Sequence, residues 1–178
     1  MKTTISNILL LIAIVFSNTV LAQVSKRTIK ESTIDNTTYV IEQWGNNRDF
    51  IKNKNDIYAK LVKKLLIGKK SCDYAHVQDQ QLLTKQLTLM ARNIFTTPRI
   101  KQLSTDNKNN FEVDYICNRD GDILAVHFLG VNTSIISLKE IKALEDAFLK
   151  MRIKWDVSLC PDVNYFMFCQ IIKFKNYL

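Results

Sequence analysis

The sequence predicts an α+β fold built on an antiparallel sheet, and three observations in residues 111–174 carry that prediction. Asp120-Gly121 separates two alternating apolar runs, as a hairpin turn would. Ser137 and Glu140 open a helix with a single apolar stripe. Residues 165–175 then alternate as a third strand, giving the order ββαβ.

The hairpin is specified by its turn and its pattern together. Asp-Gly tolerates the positive φ angles of a two-residue type I′ turn. Centring the turn there sets Cys117 opposite Leu124, Tyr115 opposite Val126, Val113 opposite Phe128 and Phe111 opposite Gly130. Side chains alternate along a strand, so these pairs share one face, and a slip of one residue would scatter them. The other face is mixed: Asn118 with Ile123, Ile116 with Ala125, Asp114 with His127, and Glu112 with Leu129.

The helix is signalled just as locally. Ser137 is a good N-cap, Glu140 three residues on completes a capping box, and Ile136 and Ile141 stand at hydrophobic-staple positions. Leu138, Ile141, Leu144, Phe148 and Met151 recur at steps of three and four, which places them on one side. Lys139, Glu140, Lys142, Glu145, Asp146 and Lys150 take the remaining positions. In the third strand Phe166, Phe168, Ile172 and Phe174 share one face; Tyr165, Met167, Cys169 and Ile171 share the other. A strand apolar on both faces calls for cover on both, and the first half of the chain is available to supply the second.

These residues resemble the C-terminal domain of TonB-family proteins. The resemblance rests on the alternating Val113-Asp114-Tyr115-Ile116 run, the Asp120-Gly121 turn, Leu124-Ala125-Val126, the Ser137-Leu138 helix start, Ala143-Leu144, Trp155 and the closing Ile171-Ile172-Lys173-Phe174. It covers about the last third of the chain. Asp156-Val157 stand where that family often has a Pro, and no Tyr-Pro segment precedes the first strand. The resemblance implies a fold and a mode of contact, the uptake of an extended peptide by strand addition. It does not imply energy coupling. The chain is also similar to the small secreted proteins of unknown function common in Bacteroidetes-type bacteria.

At the other end, Met1-Lys2 and the apolar run 8–16 lead to Val20-Leu21-Ala22, the pattern of a signal peptide cleaved between Ala22 and Gln23. The run is shorter than the roughly 20 residues that span a bilayer. The expected product is periplasmic or secreted, with no integral membrane segment. Removing 22 of 178 residues leaves a length suited to one domain, or to one domain with a helical extension. The formal charge of the whole chain is +8. Export makes nucleic acid the least favoured acidic partner, and solubility is the plain reading of the charge.

Residues 27–44 read as one or two strands around an Asp35-Asn36 turn. Asn55 or Asp56 caps a helix to about Ile67, with Gly68 past its end and Lys63, Lys64, Lys69 and Lys70 where the helix dipole favours cations. A second helix spans about 74–95, its stripe Leu83, Leu87, Met90, Ala91 and Ile94, ended by Thr96-Thr97-Pro98. A short link between them predicts an antiparallel helical pair. Residues 101–110 read as a polar loop, dividing an N-terminal region, 23–110, from the ββαβ region, 111–178.

Chemistry is sparse. Cys72, Cys117, Cys160 and Cys169 allow three disulfide pairings. Cys72–Cys160 is the favoured one, both lying in expected loops, while Cys117 and Cys169 fit as strand thiols. No CxxC is present. Cys72 and His76 offer two ligands, short of the four of a closed zinc site. Asp114 and His127 are expected as a cross-strand polar pair. With 4 glycines there is no phosphate-cradling loop, and no cofactor is expected. The function expected is a non-enzymatic protein-binding or structural module of the cell envelope, meeting an envelope protein by strand addition. The alternative is a small-ligand binder or hydrolase with a pocket between helix pair and sheet.

Overall fold

A computed structural model describes residues 28–44, 48–67, 76–156, 158 and 162–178. The expected signal peptide, Gly68, Lys69 and Lys70, and the expected Cys72–Cys160 bridge lie outside these residues. The chain is α+β, with one antiparallel six-stranded sheet in the order β1-β2-β3-β6-β5-β8. Helices lie on both of its faces.

The first hairpin joins β1 (Thr28–Ile34) to β2 (Thr37–Gln43). Asp35 and Asn36 take φ values of 46° and 63°, so this is where a two-residue turn with two left-handed positions forms. Tyr39 and Ile41 of β2 are buried. A strand absent from the sequence reading, β3 (Asp49–Asn53), pairs Ile51 with Ile41 on one side and with Phe128 of β6 on the other. Strands from either side of residues 101–110 therefore share one sheet.

Helix α1 (Tyr58–Ile67) begins where Asp56 Oδ1 accepts a hydrogen bond from the Tyr58 amide at 3.2 Å. The second helix, α2 (Gln80–Ile94), starts later than its periodicity suggests. Asp79 caps it, accepting from Leu82 N at 2.8 Å, and the preceding β4 (His76–Val77) pairs with β7 (Trp155–Asp156). Thr96-Thr97-Pro98 does end α2, but the same residues start a new helix. Pro98 sits in the first turn of α3 (Thr97–Ser104), where its missing N–H costs nothing. The expected polar loop is thus partly helical.

Helices α1 and α2 do not form the expected pair. Tyr58 and Leu61 of α1 pack on Ile116 and Ala125, on one face of the sheet. Leu83, Leu87, Met90 and Ala91 of α2 join the main core on the other. The sheet passes between them because both of its faces carry apolar residues that need cover.

The core hairpin, β5 (Phe111–Asn118) and β6 (Ile123–Val131), keeps the expected register from Ile116↔Ala125 through Tyr115↔Val126 to Glu112↔Leu129. Its turn sits one residue earlier. The Gly121 amide donates to the Asn118 carbonyl at 3.1 Å, which centres the turn on Arg119 and Asp120; of the expected pair Asp120-Gly121, only Gly121 has positive φ, 91°. A bulge between Ile116 and Cys117 absorbs the offset, pairing Cys117 with Ile123. Ile123 therefore faces the main core, and Leu124 packs with the α1 cluster instead.

Helix α4 (Leu138–Leu149) has the capping box that Ser137 and Glu140 foretell. Ile141, Leu144 and Phe148 are fully buried, each contributing about 1.5–3 kcal/mol by its burial. Glu145, assigned to the polar side by periodicity, is buried as well. It accepts a short hydrogen bond from the Tyr39 hydroxyl and another from Asn53 Nδ2 at 3.3 Å. The last strand, β8 (Tyr165–Ile172), ends before residue 175, and Phe174–Tyr177 forms a 3-10 turn. Arg92 of α2 donates from Nε to the Tyr177 carbonyl at 3.1 Å and from Nη2 to the Leu178 carbonyl at 2.8 Å. Among the described residues no helix is long and apolar enough to cross a membrane.

Candidate functional site

Strand alternation carries a polar row across the α1 face of the sheet. Lys52 of β3 stands opposite His127 of β6, His127 opposite Asp114 of β5, and Asp114 opposite Cys169 of β8. Their neighbours Val113, Tyr115, Val126 and Phe128 face the main core. The row follows from four strands in register, two of them brought in by other parts of the chain.

His127 is the enclosed member, 8% exposed. The Tyr58 ring stacks on it at 3.7 Å and 18°, and the Phe50 ring meets it edge-on at 5.2 Å. Its Nε2 lies 2.5 Å from Asp56 Oδ2. Asp56 thus ties the first turn of α1 to the sheet, one oxygen on the helix amide and the other on the imidazole. Sequence reasoning placed Asp114 beside His127, and the two are direct cross-strand neighbours. The hydrogen-bond partner of His127 is instead Asp56, which the sequence marks only as a helix cap.

Asp114 turns toward β8. Burial pushes its carboxyl up; the Cys169 thiol opposes this by hydrogen bonding, Glu112 adds to it by charge, and His127 opposes it. Cys169 is pushed up to about 12, first by desolvation and then by the charges of Asp114 and Glu112. The thiol therefore stays protonated and serves as a hydrogen-bond donor to the carboxylates, rather than as a thiolate nucleophile. Oxygens of Glu112 and Asp114 and the Cys169 sulfur lie within 4.8 Å of one another. That set offers three ligand atoms to a cation, against the four of a closed structural zinc site.

Beyond Cys169 lies the end of the sheet. All residues of β8 are opposite residues of β5, and among the described residues β8 pairs with no other strand. Met167 and Ile171, two residues to either side of Cys169 on the same face, are 56% and 42% exposed. Phe166, Ile172 and the half-buried Phe168 anchor the opposite face, with Phe168 stacked on Trp155 at 3.7 Å and 8°. Among the described residues the edge is paired on one side and unpaired on the other.

A concavity of about 350 Å³ opens at the start of α2, where Leu82, Leu83 and Val77 meet Ile153, with Arg152 and Lys154 also lining it. Asp79, its nearest acid on α2, is engaged as the helix cap.

No protein-family model matches this chain, and no curated protein matches it. Among solved structures there is a clear likeness. The fold is shared with a DUF5043 family protein from Bacteroides uniformis ATCC 8492. The two superpose with a TM-score of 0.61 over 83% of this chain and 92% of that one, at 14% sequence identity. At that identity the likeness establishes the fold alone. It extends well beyond residues 111–174, over which the resemblance to TonB-family domains was read.

Proposed function

We propose that this chain is an exported, non-enzymatic protein-binding module of the cell envelope, and that it takes up an extended segment of its partner along the open edge of β8. The observation that carries this reading is the edge itself. One side of β8 is fully paired with β5, and the other ends the sheet beneath the exposed Met167 and Ile171. Strand addition uses such an edge: main-chain hydrogen bonds supply affinity, and alternate side chains supply selectivity. Natural proteins usually protect open edges with lysine, proline or bulges, and β8 has none of these between Tyr165 and Ile172. Cleavage between Ala22 and Gln23 and a periplasmic or extracellular destination complete the proposal.

The hydrolase alternative is the weaker one because the chemistry of the row opposes it. The Cys169 thiol is held protonated, and Asp114 stands between it and His127 in the row, so the imidazole is not the thiol's neighbour. The concavity beside α2 favours a small-ligand reading more than any group of the polar row does.

The test is cross-linking of the tagged protein in its native envelope, beside a Met167→Lys/Ile171→Lys double variant. Lysines on the edge disfavour strand addition, and both positions are exposed, so the variant should keep the wild-type unfolding temperature. The expected result is a specific partner captured by the wild type and lost in the variant. Equal capture by both proteins would place the contact elsewhere and contradict the proposal.

A further inference from the structure

Resting on the strand-addition reading, we infer that the segment added to β8 carries a basic residue opposite Cys169, flanked at two residues on either side by apolar ones. The edge has a chemical sequence of its own: Met167, then Cys169 with Asp114 directly behind it, then Ile171 with Glu112 behind it, the Glu112 carboxylate reaching to within 4.8 Å of the Cys169 sulfur. The residue directly opposite Cys169 on an added strand would project on the same face. Neighbouring strands are about 4.8 Å apart, so Asp114 lies two strand spacings, about 10 Å, from that position. A long side chain crosses that span only if the residue between is small, and Cys169 is small. The next positions out, at two residues in each direction, stand opposite Met167 and Ile171 and cover their exposed apolar surface.

The charge of the rest of the chain sharpens this reading. The formal net charge of the protein is +8, yet this edge presents two carboxylates side by side, one of them the exposed Glu112. Among the described residues neither carboxylate is ion-paired with a lysine or arginine, and the neutral Cys169 thiol, with one hydrogen to share, leaves their charge in place. A guanidinium or ammonium placed there would relieve the repulsion between them. An acidic residue in the same place would add a third negative charge. Arginine suits the site best, since its planar fork is able to span both carboxylates.

The probes are three peptides, Thr-Val-Thr-X-Thr-Val-Thr with X as arginine, alanine or glutamate, titrated into the isotope-labelled protein and followed by its amide NMR shifts. The expected order of affinity is arginine, then alanine, then glutamate, with the first and last about tenfold or more apart at low salt. That preference should shrink on adding salt. It should also vanish in a Glu112→Gln/Asp114→Asn variant, for which the exposed Glu112→Gln alone serves if the double variant unfolds. Equal affinities for the arginine and glutamate peptides would overturn the charge inference and leave strand addition standing. A preference that persists in the variant would also overturn it. If none of the three peptides shifts the amides of β8, both readings fall.

Discussion

Gly121 does two jobs in one residue, and they separate cleanly from those of Gly130. Both have positive φ, 91° and 73°. A Cβ on Gly121 would fall 1.9 Å from the Ile153 carbonyl oxygen, whereas one on Gly130 would meet only the Arg48 side chain at 3.6 Å. The Ile153 amide in turn donates to the Gly121 carbonyl at 2.9 Å, so the turn is stitched to the chain leaving α4. Gly130→Ala is expected to cost about 1–2 kcal/mol, the price of a left-handed L-residue. Gly121→Ala should cost more, because backbone must move as well. Urea unfolding of the two variants checks the difference; equal losses would mean that the close approach to Ile153 relaxes freely. The sequence marks Gly121 as a turn glycine, but the clash partner 32 positions away is invisible in it. His127 and Glu145 are legible in the same partial way. Each was assigned to the right strand or helix, while its hydrogen-bond partner, Asp56 or Tyr39, comes from a distant segment that only the folded sheet brings near.

At the scale of elements, local chemistry that is complete within a few residues was readable. The Ser137–Glu140 box formed, as did the Asp35-Asn36 turn and the register of β5 on β6 from Glu112 to Ile116. Where two elements share one signal, the reading failed. Pro98 stops α2 and starts α3, and β3 is too short and polar to stand out until it is seen between β2 and β6. The link from α3 to α4 makes a pH test possible. Arg99 donates from Nε to Glu140 Oε1 at 2.7 Å and from Nη2 to Oε2 at 3.1 Å. Burial alone would push the Glu140 carboxyl up, but the Arg99 fork and the Ser137 donors outweigh it and hold it below the ordinary carboxylate value. A lowered folded-state pKa stabilises above the unfolded value, and that stability is lost as pH falls through the folded one. Glu140→Gln should therefore cost about 1 kcal/mol at neutral pH and flatten the limb of the stability curve that falls as pH drops below the ordinary carboxylate value. An unchanged acid limb would show that the carboxylate is no better held in the folded chain than in the unfolded one.

Over the whole molecule, six strands separate two apolar clusters, and the helices divide between them. The main core holds α2, α3 and α4 on one face, and α1 covers part of the other. That cover stops short of the outer half of β8, where Met167 and Ile171 stay exposed beside a buried-side anchor of Phe166 and Ile172. The need for cover on both faces of β8 was legible from its alternation. The incompleteness of the cover was not, because it depends on where α1 comes to lie.

The most direct test of strand addition is amide hydrogen exchange along residues 165–172, measured with and without saturating arginine-centred peptide. Half of the amides of an edge strand point away from its neighbour and exchange with solvent. If a new strand is added, those alternate amides should slow markedly, while the amides already paired to β5 change little. Slowing confined to the concavity at the start of α2, with β8 unchanged, would contradict the account and move the binding site there.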